Sequence, residues 1–134
     1  MGASLDGIGD GTPLVIEGSG GGDVNDFQLK ALDLLAKGTP VIIDGPCLSA
    51  CTILVDIDRA NVCITTQAIF GYHKAAQYNV LLGTKTEFNI NYETPGLNEY
   101  IKSRGGLPSP DDANLMLMTF EQAKHFYKPC HGAH

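Results

Sequence analysis

The residue with the clearest potential for chemistry is Ser49, in the stretch Gly45-Pro46-Cys47-Leu48-Ser49-Ala50-Cys51-Thr52. It lies among small residues, directly after the apolar run 41–43. A serine at a strand-to-helix turn lies at the positive end of the following helix, where free backbone N–H groups stabilise negative charge. Serine is also a common helix N-cap, so the pattern leaves a nucleophile and a capping residue as alternatives.

A glycine loop and a histidine add to this pattern. Gly20-Gly21-Gly22 follows the apolar run 13–17, and glycine lets a backbone approach a ligand closely. The loop lacks the lysine of a phosphate loop and the third glycine of a dinucleotide fingerprint, so an oxyanion-binding loop is the better interpretation. His73 closes the apolar run 69–72 and is predicted to lie at a strand tip. A lone histidine is more often structural, but together with Ser49 it forms a nucleophile–base pair.

The segments that position these residues alternate between short apolar runs and stretches in which apolar residues recur with the spacing of a helix. Strands are predicted at 13–17, 39–44, 62–66 and 68–72. Helices are predicted between Asp23 and Gly38, over 49–57, from Pro95 to the Gly105-Gly106 break, and from Thr119 through Phe126. This order predicts an α/β fold with a largely parallel sheet and right-handed crossovers. Residues 74–93 give no clear pattern.

Composition indicates one folded domain over residues 1–134, with residues 128–134 as a flexible tail. The chain has 134 residues, 43% of them apolar and 18% charged, which argues against disorder. Its formal charge of −6 argues against nucleic acid or an anionic membrane as partner. We expect no membrane span, because no apolar run is long enough, and no signal peptide within this chain.

Four cysteines permit three complete disulfide pairings: Cys47, Cys51, Cys63 and Cys130. In an oxidising compartment a Cys47–Cys51 bridge could clamp the turn around Ser49, whereas in the cytosol these residues would be small buried side chains. The first interpretation is favoured and places the protein outside the cytoplasm. A zinc site made by Cys47, Cys51, Cys130 and His131 is the competing chemistry, but the spacing of these residues is unspecific. No metal or cofactor is expected.

Three motifs together resemble one known family. The loop Gly18-Ser19-Gly20-Gly21-Gly22-Asp23-Val24 is similar to the Asn-Ser-Pro-Gly-Gly-x-Val loop of the Clp peptidase family, residues 45–51 to its nucleophile turn, and Gly71-Tyr72-His73 to its histidine strand. Their order and spacing agree too, and the Cys-x-Ser-Ala-Cys form is most similar to the Clp-like periplasmic proteins of bacteria. The resemblance covers residues 14–74 well and the rest weakly. It implies the fold of the Clp peptidase and crotonase superfamily, with repeated β-β-α units and a largely parallel sheet flanked by helices.

The resemblance also implies roles for individual residues. Ser49 would be the nucleophile, His73 the general base, and the backbone N–H groups of Gly22 and Ala50 the oxyanion hole. The reaction would be acyl transfer to serine followed by hydrolysis, with a peptide or protein as substrate. The alternatives are a catalytically degenerate member that binds peptides or proteins, and a crotonase-like acyl-thioester site that uses paired N–H groups.

The resemblance is incomplete in two places: at the acidic residue that orients the histidine in the family, and in the segment before the glycine loop. Residues 118–123 are similar to the family's Met-Ser-x-Glu-Glu-Ala helix start, which puts the family's aspartate at Leu115. Asn114 is adjacent and becomes the expected orienting residue, with Asp111 or Asp112 as alternatives. Only residues 1–12 precede the first apolar run, 13–17, where the family has a further strand and helix. We therefore expect an exposed apolar face that a second copy covers, and a homo-oligomer.

Overall fold

The computed structural model describes residues 12–112 and 114–132, in which strands and helices alternate along much of the chain. The strands are β1 (Leu14–Ile16), β2 (Val41–Ile43), β3 (Pro46–Leu48), β4 (Val62–Ile64), β5 (Ile69–Tyr72), β6 (Ala75–Asn79), β7 (Thr84–Phe88) and β8 (Met116–Thr119). The helices are α1 (Val24–Lys37), α2 (Ala50–Ile57), α3 (Leu97–Ser103) and α4 (Phe120–Ala123), and a 3-10 helix spans Arg59–Asn61.

The first sheet is parallel and has the strand order β1-β2-β4. Its central residues Val41, Ile43, Val62 and Ile64 are buried, which is the usual reason why parallel strands have continuous apolar sequences. Helix α1 connects β1 to β2 and packs against α2. The predicted limits of α1 are confirmed, because the Asp23 side chain accepts the Asp26 N–H at 3.0 Å and Gly38 ends the helix in the left-handed region.

The second sheet positions the candidate site. Strand β3 pairs in parallel with β5, with Leu48 opposite Gly71, and β5 pairs antiparallel with β8. Parallel neighbours end at the same edge of a sheet, and here β3 leads into Ser49 while β5 leads into His73. Gly71 leaves room for the Leu48 side chain, because a methyl group at residue 71 would lie 2.6 Å from a Leu48 side-chain carbon.

A β-hairpin occupies the segment for which the sequence predicted no element. Strands β6 and β7 pair antiparallel over five residues each, and Gly83 in the left-handed region helps the chain to reverse. The alternation in Thr-Lys-Thr-Glu-Phe is the signal that could have indicated β7. The hairpin tip carries three strongly exposed apolar residues, Val80 at 92%, Leu81 at 97% and Leu82 at 73%.

Two disulfides fix parts of the chain that the sequence left open. Cys47 pairs with Cys51, and Cys63 pairs with Cys130 across a separation of 67 residues. The second bond ties the last part of the chain to β4, where the Ile64 N–H also donates to the Lys128 carbonyl at 2.9 Å. Lys128 to Cys130 are therefore held by β4, which differs from the flexible tail predicted for 128–134; residues 133 and 134 lie outside the described residues.

The architecture confirms a mixed α/β class and corrects some details. In place of one largely parallel sheet, the described residues form three small sheets with both parallel and antiparallel pairs. The helix start at Thr119 is confirmed, since Gln122 Oε1 accepts the Thr119 N–H at 2.9 Å. That helix ends at Ala123, so Phe126 lies outside it. Among residues 12–112 and 114–132, no helix has the length and apolar character needed to cross a bilayer.

Candidate active site

Ser49 adopts a backbone conformation that few non-glycine residues take. Its φ of 58° and ψ of −124° make it the one non-glycine residue with positive φ in the described part of the chain. Its side chain makes no N-cap hydrogen bond to α2. A serine at a sharp, strained turn between a strand and a helix is typical of an exposed nucleophile. The structure therefore removes the capping interpretation of Ser49.

The backbone groups of Ser49 are anchored on both sides. Its N–H donates to the Gly71 carbonyl of β5 at 2.8 Å. Its carbonyl accepts from the Thr52 N–H at 2.9 Å and from the Thr52 hydroxyl at 2.6 Å. Because that hydroxyl proton is already used, the Tyr92 phenol donates to Thr52 Oγ1 across 2.8 Å. Burial raises the pKa of Tyr92, so the phenol keeps the proton that it donates.

The glycine loop lies directly against this turn. The Ser19 N–H donates to the Pro46 carbonyl, and the Leu48 N–H donates to the Ser19 carbonyl at 2.9 Å. Gly21 has a φ of 89°, and a Cβ on it would lie 2.6 Å from Ser49 Cβ and 2.7 Å from the Leu48 carbonyl oxygen. Only glycine fits this position, because both its conformation and its contacts exclude a side chain.

Two backbone N–H groups on the cleft beside Ser49 have no partner among the described residues. Gly22 and Ala50 both line the cleft that contains Ser49. Neither N–H makes a hydrogen bond to any other described residue. Free donors that converge beside a nucleophile can hold the oxyanion of a tetrahedral intermediate. These are the two groups that the family resemblance suggested for an oxyanion hole.

His73 is oriented by the residue that follows it. Its Nδ1 lies 2.5 Å from the Lys74 carbonyl oxygen. A carbonyl oxygen only accepts, so in this hydrogen bond Nδ1 carries the proton; in the neutral ring Nε2 then has the free lone pair. The Lys74 peptide is itself held, since its N–H donates to the Pro108 carbonyl at 2.8 Å. This backbone contact was missed from the sequence, where only side chains were considered as orienting groups.

One cleft of about 780 Å³ brings together four of the five predicted site residues: Gly22, Ser49, Ala50 and His73. Its remaining walls include the apolar side chains of Val24, Ile53, Phe88 and Ile90. Ser49 and His73 are both half-buried, and no hydrogen bond joins their side chains in the described part of the chain. The cleft therefore brings a serine, a histidine and two backbone N–H groups together, with no hydrogen bond between the serine and histidine side chains in the described part of the chain.

Asn114 and the two nearby aspartates lie apart from these residues. Asn114 is exposed and does not line the cleft, and its backbone N–H donates to Asp112 Oδ1 at 2.9 Å. Asp111 pairs with Lys85, and this hydrogen bond raises the pKa of the lysine. Among the described residues, none of these three side chains hydrogen-bonds to His73.

The alternative zinc site is wrong. Cys47 and Cys51 are bonded to each other, and Cys130 is bonded to Cys63, so the thiolates needed to hold zinc are not present. Within residues 12–112 and 114–132, no group of three or more histidine, cysteine or acidic side chains is arranged to hold a metal ion.

No protein-family model, no curated protein and no solved structure matches this chain. The case for a function therefore depends on the motifs in the sequence and on the geometry of the cleft.

Proposed function

We propose that this protein is a Clp-like serine hydrolase, and that it acts as a peptidase with Ser49 as nucleophile and His73 as general base. The observation that carries the proposal is the strained Ser49 turn, whose uncapped side chain shares one cleft with His73 and with two N–H groups that have no partner among the described residues. The mixed α/β fold is compatible with the repeated units of the Clp and crotonase superfamily, which we also propose for this chain.

The proposed reaction begins when His73 Nε2 takes the proton of Ser49 Oγ as the oxygen attacks the substrate carbonyl carbon. The N–H groups of Gly22 and Ala50 hold the resulting oxyanion. When the tetrahedral intermediate collapses, the C–N bond breaks and the leaving amine receives the proton from His73. Water, activated by the same imidazole, then hydrolyses the acyl-serine ester.

The Lys74 carbonyl takes the place of the acid in this proposal. It holds Nδ1 in its protonated form and leaves Nε2 facing the reaction, which is the tautomer a general base needs. A neutral carbonyl stabilises the imidazolium less than a carboxylate does, so we expect slow turnover. The described structure has no hydrogen bond between Ser49 Oγ and the His73 ring, and such catalytic hydrogen bonds often form only in the substrate complex.

A second candidate function is a peptide- or protein-binding module that has lost catalysis. Two observations favour it, namely that among the described residues no carboxylate hydrogen-bonds to His73 and that no hydrogen bond joins the side chains of Ser49 and His73. The apolar walls of the cleft would hold a side chain of the bound segment in either case.

Labelling with a serine-directed fluorophosphonate distinguishes the two candidates. The expected result is covalent labelling at neutral pH that is abolished by Ser49→Ala and strongly slowed by His73→Ala. Ser103→Ala is the matched control, because Ser103 is an exposed serine at the end of α3. Absence of Ser49-dependent labelling, with peptide binding to the cleft retained, would refute the hydrolase and support the binding module.

Two further properties remain proposals. Two disulfides are typical of proteins in oxidising compartments, so we propose an extracytoplasmic, periplasmic setting. Self-association into a homo-oligomer also remains a prediction, and sedimentation analysis of the purified chain tests it.

A further inference from the structure

We propose that the Cys47–Cys51 disulfide is a positioning element for Ser49 and contributes little to the stability of the fold. This inference rests on the proposed function, because it explains how the nucleophile is kept ready for reaction. It concerns two residues that do not touch the substrate and act only through the turn between them.

The disulfide encloses the residue that carries the chemistry. Cys47 is the middle residue of β3, Cys51 lies in the first turn of α2, and their Cα atoms are 5.2 Å apart. Ser49, with its φ of 58°, is midway between them. The φ and ψ of Ser49 are therefore part of the ring that the disulfide closes. Any relaxation of those torsions moves Cys47 relative to Cys51 and is opposed by the S–S bond.

The disulfide ring excludes a conformation in which the Ser49 hydroxyl caps helix α2 and is not available to the cleft. Without a constraint, a serine at the start of a helix prefers extended backbone angles and turns its hydroxyl back to accept an N–H of the first turn. That relaxation would also release the strain of a positive φ. Ser49 instead makes no capping bond. We infer that the disulfide keeps the hydroxyl out of the capping position and available to the cleft.

The length of the loop argues against a main role in stability. A disulfide stabilises a protein chiefly by restricting the unfolded chain, and the effect grows with the loop that it closes. Cys47 and Cys51 are four residues apart, whereas Cys63 and Cys130 are 67 apart. The short loop restricts the unfolded chain much less than the long one does.

The burial of Cys47 and Cys51 indicates that their disulfide is permanent and does not act as a redox switch. Cys47 and Cys51 are both 0% exposed, so a dithiol cannot reach their sulfurs while the protein is folded. Cys63 and Cys130 are half-buried. We expect a dithiol to reduce Cys63–Cys130 first, by transfer of two electrons and two protons, and to leave the clamp intact.

Two paired substitutions test the inference. Cys47→Val with Cys51→Ala removes the clamp while it keeps a strand-forming and a helix-forming side chain in the two buried positions. Cys63→Ala with Cys130→Ala is the matched control. The expected result for the first pair is a fall of about tenfold or more in the rate of Ser49 labelling by the fluorophosphonate, because small misplacements of a reacting group are costly. The control pair is expected to keep the labelling rate and to lose more of its resistance to urea than the first pair.

A second measurement does not depend on activity. Amide hydrogen exchange at Leu48 and Ser49, whose N–H groups donate to the Ser19 and Gly71 carbonyls, is expected to become faster by about tenfold or more in the Cys47→Val, Cys51→Ala protein, as the turn gains freedom. Labelling and exchange that both stay at the wild-type rate would overturn the positioning role, as would a larger loss of stability than in the control pair. If the wild-type chain is not labelled at all, the hydrolase proposal fails, and amide exchange still decides whether the disulfide holds the turn.

Discussion

The candidate site has two halves, and the structure holds one more firmly than the other. The proposed nucleophile half is the Ser49 turn with the glycine loop 18–22, and the proposed base half is His73 with Lys74. The nucleophile half is fixed by backbone hydrogen bonds to β5 and to the glycine loop, by a buried disulfide, and by glycines that tolerate no side chain. The base half depends on one hydrogen bond from the ring of His73 to the carbonyl of Lys74. No hydrogen bond to the His73 ring from any other described side chain is present.

This difference reflects the cost of the two conformations. Positive φ costs a residue with a side chain about 1–3 kcal/mol, so the Ser49 turn persists only where its surroundings overdetermine it. A histidine at the end of a strand can occupy several ordinary rotamers at little cost. The Ser49 turn is therefore held by several contacts, whereas the His73 ring has one hydrogen bond among the described residues.

Gly45→Ala is expected to cause the largest loss. A Cβ at residue 45 would clash with the Glu17 carbonyl oxygen, where the two backbone segments run side by side. Separation of these segments breaks the hydrogen bonds that join the glycine loop to β3, so we expect the free energy of unfolding to fall by about 3 kcal/mol or more.

Urea denaturation measures this loss, with Gly18→Ala as the control. Gly18 has no atom within 4 Å of the added Cβ, so its substitution should change stability little. Equal effects of the two substitutions would contradict the claim that close backbone approach fixes the nucleophile half.

Gly21→Ala is expected to cost about 1–3 kcal/mol of stability and most of the Ser49 labelling. The added methyl group would lie 2.6 Å from Ser49 Cβ, so the loop and the serine have to separate, and the N–H of Gly22 moves with the loop. Gly20→Ala is the matched control, because the neighbouring glycine has an open environment and no positive φ. Normal labelling in Gly21→Ala would show that the serine does not depend on this contact.

The sequence predicted the nucleophile half better than the base half, for a physical reason. The Ser49 turn could be predicted because its residues form a recognisable short pattern in the sequence. This pattern consists of glycines at close backbone contacts and a serine between small residues. The disulfide pairing was only one of three possibilities, because sequence spacing alone does not determine which cysteines meet. Strand β3 was missed because it has only three residues and begins with proline.

The contacts of His73 could not be predicted in the same way. A carbonyl oxygen is present in every residue, so the sequence gives no sign that Lys74 supplies one to the ring. The hairpin of β6 and β7 was also missed, because its strands are largely polar and therefore give little apolar–polar alternation. The hairpin nonetheless contributes Ala75 and Phe88 to the walls of the cleft.

Ser49→Gly is expected to stabilise the chain slightly while it removes the nucleophile. Glycine adopts the φ of 58° without strain, and no capping bond is lost with the side chain. The relief of strain exceeds the added entropy of the unfolded chain, so we expect a gain of about 0.5–1 kcal/mol. Ser49→Ala keeps a Cβ and is the matched control, with stability near that of the wild type. A loss of stability in Ser49→Gly would mean that the turn is not strained.

Asn114→Ala is expected to have the smallest effect. Asn114 is exposed, lies outside the lining of the cleft, and uses only its backbone N–H to contact Asp112, so removal of its side chain leaves that contact in place. We expect stability within about 0.5 kcal/mol of the wild type and a labelling rate within about twofold. If labelling instead falls tenfold at unchanged stability, the loop that carries Asn114 must close on His73 when substrate binds. The base half would then be assembled by the substrate, and the contrast between the two halves would hold only for the free protein.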